Sequence, residues 1–440
     1  MMDRSRIIDG VLYDERSFLQ TNGRNNKEER QVPFWFMIIG GGANVSYNAL
    51  VMAYSFFQLD GGLGKSVLPK IARCHNALLV FVMLLLLCSP SKPTLSQHLV
   101  ILFMAYAVAA IVDGLLFVAA TREQALNAVI LYSLVALNGA ATGAAQALGA
   151  SLSGIFDTYS AARGVGLAQL RGFAMGLLIP TLIQLASLPL NFIFNLYQSS
   201  ALSAACTAFA ALFLVLSAIF SIIHISRTPT FSRNVRLEKS CQPIESQTLC
   251  HNPEFDTIGK CVAMGPETRA FLRDRFAKVF PLAFAQFVNM FALVLALLFS
   301  TKLPIIHGNY VSFWSAYLPT LIIATNNIFA YIGRSIATPP PTHIHAIWPL
   351  AYFFVAPLGL AFVLFYRHTE GSCLIGLSSN LWPIVFYSVL ALGVGRATVV
   401  FSQLAQLVCG HNAEFPCPIV AQINVIAVDS GSCAGAFAFS

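Results

Sequence analysis

HLVILFMAYAVAAIVDGLLFVAA, residues 98–120, is an unbroken apolar run whose single formal charge is Asp113. It is too long for a buried strand and long enough for a bilayer-crossing helix, which needs about 20 mostly apolar residues. Stretches of the same kind recur on both sides of it. Together they run near 33 to 58, 68 to 90, 98 to 120, 125 to 154, 160 to 188, 200 to 226, 276 to 301, 310 to 338, 344 to 366, 380 to 406 and 417 to 440. The composition agrees: of 440 residues, 57% are hydrophobic and 10% charged, and the mean hydropathy is +0.70. Soluble domains carry about 25% charged residues, so a water-soluble globule is excluded. The expectation is one all-α polytopic membrane protein of eleven transmembrane helices.

The net charge of +7 reads as an orientation signal and not as a nucleic-acid footprint, because the basic residues sit in short loops and tails. With the N-terminus cytoplasmic, the inside segments hold about 18 of the 26 Lys and Arg, a bias that fits N-in and, for an odd number of spans, C-out. The four tryptophans, Trp35, Trp314, Trp348 and Trp382, fall near span ends, as interfacial aromatics do. The expected organisation is a cytoplasmic tail over 1–32, a first set of six helices over 33–226, a cytoplasmic linker over 227–275 and five helices over 276–440. The tail and the Ser-, Thr- and Pro-containing linker are expected to be largely unstructured. The sequence shows no short internal repeat.

Polar side chains inside spans are costly unless they face a cavity or a partner. Asn44 and Asn48, four residues apart, share one face of the first helix, with Tyr47 beside that stripe. Asn138, Gln146, Gln169, Arg171, Gln286, Asn289, Asn326 and Asn327 place further polar groups on four other spans. At 1.5 Å per residue most of them lie in the middle third of the membrane, which a shared polar cavity explains. Amides that only bridge neighbouring helices are the competing explanation, at about 0.6–2 kcal/mol each. The small residues Gly139, Gly143, Gly149, Gly164, Gly166 and Gly172 are expected to let the fourth and fifth spans approach closely. Arg396 and Asp429 lie at matching depth and are expected to pair; a pair between Arg171 and Asp113 is less well matched. No nucleophile elbow, phosphate-cradling glycine loop, ATP motif, paired-histidine zinc motif or cofactor motif is present, and an enzyme is not expected.

Three segments resemble the equilibrative nucleoside transporter family, in particular its compact protozoan members used for purine salvage. Tyr47-Asn48-Ala49-Leu50-Val51-Met52-Ala53-Tyr54-Ser55-Phe56-Phe57 is similar to Trp-Asn-x-Phe-Ile-Thr-Ala-x-x-Tyr-Phe. Gly164-Val165-Gly166-Leu167-Ala168 is similar to Gly-Gln-Gly-x-Ala. Asn327-Ile328-Phe329-Ala330-Tyr331-Ile332-Gly333-Arg334 resembles Asn-x-x-Asp-x-x-Gly-Arg, with Ala330 where the family has an aspartate. The resemblance implies a major-facilitator-like, pseudo-symmetric 6+5 bundle at the plasma membrane, working by alternating access without a cofactor. It implies nucleosides as substrates, purines first and nucleobases as a further class, with a monomer favoured and the lipid bilayer as surroundings. The expected contacts are Tyr47, Asn48, Gln146, Gln169, Gln286, Asn289 and Asn327, with Arg334, Arg396 and Asp429 as gate or charge pair. A major-facilitator-like carrier of sugars or other small polar solutes stays open as a second reading, and a membrane protein that no longer transports as a third.

Overall fold

The computed structural model describes residues 6–8, 11–13, 15–53, 56–57, 67–88, 94–122, 127–159, 164–194, 199–240, 266–300, 311–336, 359, 381–409 and 417–438. Among the described residues, a short antiparallel hairpin of β1 (Arg6–Ile8) and β2 (Val11–Tyr13) precedes eleven helices. These are α1 (Glu15–Met52), α2 (Val67–Cys88), α3 (Leu95–Thr121), α4 (Ala128–Tyr159), α5 (Val165–Phe194), α6 (Ser199–Ser226), α7 (Pro229–Ser240), α8 (Pro266–Ser300), α9 (Val311–Ser335), α10 (Leu381–Cys409) and α11 (Cys417–Ala438). Ten of them coincide with expected spans, and α7 is a short extra helix. The expected span over 344–366 lies outside the described residues except for Gly359.

Two expectations need correction. The segment before residue 32 contains the hairpin, paired Ile8 to Val11 with the sequence Asp9-Gly10 between its strands, and α1 starts at Glu15, well ahead of the apolar run. Part of the expected linker is also helical. Thr228 caps α7 through a 3.3 Å bond from the Phe231 N–H, Phe231 and Asn234 pack inward, and Arg233 and Arg236 stay exposed. The opening stretch behaves as read: Thr94 and Gln97 form a capping box at the start of α3.

Among the described residues, seven helices are long and apolar enough to cross a membrane. Their outward faces carry exposed large apolar side chains at helical spacing, for example Val100, Met104, Ile111, Leu115 and Val118 on α3 and Phe209, Phe213 and Phe220 on α6. In water this belt would aggregate; in a bilayer it faces lipid tails. Helices α1 and α9 fall short of the same measure because they carry the amides and Arg334, and they are central helices of the bundle.

The helices pair where glycine lets backbones touch. A Cβ added to Gly172 of α5 would sit 2.0 Å from the Met37 carbonyl oxygen of α1, and one on Gly176 would sit 2.3 Å from that of Gly41. Gly139 and Gly143 of α4 stand against the His75 and Leu79 carbonyls of α2 in the same way, and Gly431 and Gly435 of α11 against those of Phe287 and Phe291 on α8. In each pair both partners advance by four residues, so the paired helices run parallel. Gly395 of α10 stands against the Ala330 carbonyl of α9. In the first half, then, the first helix packs on the fifth and the second on the fourth. Counting the expected ninth span, the second half repeats this scheme: seventh on eleventh, eighth on tenth. The glycines expected to join the fourth and fifth spans are divided accordingly. Gly149 serves that contact, receiving the Gln169 side chain; Gly164 has φ +90°, which suits glycine, in the turn entering α5.

Candidate functional site

The two sets of helices meet through α5 against α9 and through α11 against α2 and α4. Between them lies an open-ended cavity lined from both halves. The first half contributes Asn44, Gln146, Ser153, Gln169, Leu170 and Phe173. The second contributes Gln286, Arg334, Thr398, Ser402, Gln403 and Asp429, with Val399, Val425 and Val428 as an apolar wall. Gly166 and Leu167 in the first turn of α5, Arg334 in the last turn of α9 and Gln403 late in α10 place the cavity toward one end of the bundle.

The first-half amides are engaged. Gln146 Nε2 donates to Asn44 Oδ1 at 2.5 Å, and Asn44 Nδ2 reaches the Phe173 carbonyl at 3.5 Å. With its amide turned to suit its neighbours, Gln169 donates to Ser153 Oγ and the Gly149 carbonyl and accepts from the Ala150 N–H, so it fastens α5 to α4. In the second half several buried polar atoms of the lining have no hydrogen-bond partner. Gln286 is 2% exposed, and neither its Nε2 nor its Oε1 has a hydrogen-bond partner; Arg334 Nε and Asp429 Oδ2 are likewise buried and unpartnered. Arg334 and Asp429 interact electrostatically. Burying such groups without partners costs about 1–3 kcal/mol each, more when charged, which a polar ligand in the cavity would offset.

The opposite end of the cavity is closed by contacts between the halves. Asn327 Nδ2 of α9 donates to Thr181 Oγ1 of α5 at 2.8 Å and to Asn48 Oδ1 of α1 at 3.3 Å. Asn48 Nδ2 in turn donates to the Leu177 carbonyl. A second, apolar contact joins Ala72 of α2 to Leu295 and Leu298 of α8 and Ala436 of α11. These residues lie near the start of α2 and the ends of α8 and α11. Both contacts therefore lie on the far side of the cavity from the beginning of α5.

Two solved structures share the helical fold across 94% of the chain. FucP, a major facilitator superfamily transporter solved in its outward conformation, matches with a TM-score of 0.50 at 10% identity over 97% of its own length. The proton:xylose symporter XylE bound to 6-bromo-6-deoxy-D-glucose matches with a TM-score of 0.52 at 13% identity over 88% of its length. The chain has the major facilitator fold. At these identities the likeness concerns fold alone. No protein-family model matches the chain, and no curated protein matches it in sequence.

Within this major facilitator bundle the expected site residues separate into groups. Gln146, Gln169, Gln286, Arg334 and Asp429 line the cavity. Asn48 and Asn327 form the closing network instead. Tyr47 turns away from the cavity lining: its ring stacks on His75 at 3.9 Å, and its hydroxyl shares a hydrogen bond with Asn76. Asn289 is buried with both amide atoms unpartnered and is absent from the cavity lining. The expected Arg396–Asp429 pair is corrected: Arg396 donates to the Ile336 carbonyl at 2.8 Å, covering the end of α9, and Asp429 faces Arg334. Depth along each helix matched, but rotation about the helix axis separates the two side chains. Asp113 accepts a 2.7 Å bond from Ser46, and no pair with Arg171 is present.

Thr181, Ser153, Thr398, Ser402 and Gln403 were missed. Single hydroxyls in apolar helices carry little signal, since Ser and Thr also bond their own helix, as Thr398 does to Val394 and Thr181 to Leu177. Gln403, a carboxamide late in a span, was recoverable by the rule that flagged the others. The altered role of Tyr47 carries a prediction. Tyr47→Phe is expected to lower detergent thermal stability by about 1 kcal/mol, the worth of one hydrogen bond, and to leave substrate KM unchanged. A rise in KM at unchanged stability would return Tyr47 to the cavity.

Proposed function

We propose that the protein is a facilitative membrane carrier of nucleosides, with purine nucleosides and nucleobases favoured, working by alternating access between its two halves. The observation that carries this reading is the cavity at the junction of the halves, closed at one end, with the Gln286 amide, Arg334 Nε and Asp429 Oδ2 lacking hydrogen-bond partners on one side. A nucleoside suits it chemically. Its hydroxyls and ring edge match the free Gln286 amide, Arg334 Nε and Asp429 Oδ2, and its ring faces suit Phe173, Leu170 and the three valines. The family resemblance of the Asn48, Gly164 and Arg334 segments supports the same substrate class. In the N-in orientation the cavity opens to the cytoplasm and the Asn48–Thr181–Asn327 network closes the outer side, with the plasma membrane as the expected location.

A sugar carrier is the second reading. The fold likeness to the xylose symporter favours it, and a carboxylate, a guanidinium and an unpartnered carboxamide suit hydroxyl-rich ligands too. Uptake of labelled inosine, adenosine, uridine, hypoxanthine, glucose and xylose into cells displaying the protein separates the two. Saturable inosine or adenosine uptake, undiminished by excess glucose, is the expected result. Sugar uptake without any nucleoside or nucleobase uptake would replace the first reading with the second.

A further inference from the structure

The amides around the cavity differ in what they have left to offer. Gln169 has its amide bonded to α4, and the NH₂ groups of Gln146 and Asn44 are taken up inside the first half. Gln286 offers a complete carboxamide, donor and acceptor in one plane, 2% exposed and without a partner for either atom. It stands on α8, which is held against α11 by backbone contact at Gly431 and Gly435, so its position in the cavity is set by rigid helix packing. A lone ligand hydroxyl can satisfy one atom of this amide well and leaves the other at a cost of about 1–3 kcal/mol. A flat ligand edge with a donor beside an acceptor satisfies both at once.

Resting on the nucleoside reading, we propose that Gln286 is the specificity-determining residue of the cavity and reads the polar edge of the heterocycle. A carboxamide pairs in plane with the N1–H and C6=O of a 6-oxopurine. Rotated by half a turn, it pairs with the amino group and N1 of a 6-aminopurine. Adenine and hypoxanthine nucleosides are then both accepted. A purine with hydrogen at C6 forfeits half the pairing.

The test compares inosine with purine riboside, which has the same ribose and ring but neither the C6 oxygen nor the N1–H. In Gln286→Leu, the KM for inosine is expected to rise about tenfold, as a loss of about 1.4 kcal/mol requires, while that for purine riboside changes less than about threefold. Surface abundance should stay near wild type, and detergent thermal stability should hold or rise, because leucine removes a buried amide that has no partner. Gln286→Met, closer in length and shape, should show the same split and guards against a packing artefact in the first variant. Equal rises for both ribosides in both variants overturn the assignment of Gln286 to the ring edge while leaving nucleoside transport standing. Absence of uptake of either riboside by wild-type protein at the cell surface overturns the nucleoside reading itself.

Discussion

On the proposed nucleoside reading, Arg334→Gln is expected to lower uptake per surface molecule by about 100-fold or more. The guanidinium is 7% exposed and lines the cavity with Nε unpartnered, and Asp429 is the carboxylate it interacts with. A hydrogen bond from a charged donor to the substrate is worth about 1.5–3 kcal/mol. Removing the cation also strands Asp429 in the membrane interior, a change that costs about 3–5 kcal/mol when a buried pair loses one member. Part of the second cost falls on folding, so the single variant should also be scarcer at the surface. Arg334→Gln with Asp429→Asn removes both charges together and should recover abundance while uptake stays low. Uptake restored along with abundance would mean that the pair only supports folding. Ala330, where the family resemblance has an aspartate, packs against Gly395, so the carboxylate facing Arg334 here comes from α11.

Much of the bundle was legible because the bilayer imposes a length on apolar runs and a cost on misplaced polar groups. Asn48, Gln146, Gln286, Asn327 and Arg334 were conspicuous for that reason, and each holds a polar position between or beside the two halves. Which of them faces the cavity was not legible. Residue spacing gives depth and relative angle on one helix, but rotation against a neighbour is fixed by contacts such as Gly172 on the Met37 carbonyl or Gly395 on that of Ala330. Those contacts ask only for a missing Cβ, and many glycines meet that condition. The same economy hid the repeat: first-on-fifth and second-on-fourth packing needs small residues at matching places and no similarity between the halves. Arg396 and Asp429 were paired on depth alone, and rotation assigned Asp429 to Arg334. The Asp9-Gly10 sequence was a readable hairpin signal obscured by the polar composition around it.

Asn327→Ala should open the closed end. Its amide makes both hydrogen bonds of this network that join α9 to the first half, at 2.8 Å to Thr181 and 3.3 Å to Asn48. Hydrogen bonds between membrane helices are worth about 0.6–1.7 kcal/mol. Losing two therefore shifts the balance between closed and open by about 2 kcal/mol, roughly 30-fold. The alanine should leave the first half in place, because Asn48 keeps its bond to the Leu177 carbonyl and α1 stays locked on α5 through Gly172 and Gly176. A cysteine at Leu298, 5% exposed within the apolar contact with Ala72 and Ala436, reports on the opening. In Leu298→Cys with Asn327→Ala, labelling by a membrane-impermeant maleimide from outside the cell should be about 30-fold faster than in Leu298→Cys alone. Added substrate should change both rates, because it binds the same moving halves. Equal labelling rates with and without Asn327 would show that the apolar contact alone keeps this end shut, and that the amides serve packing and not the gate.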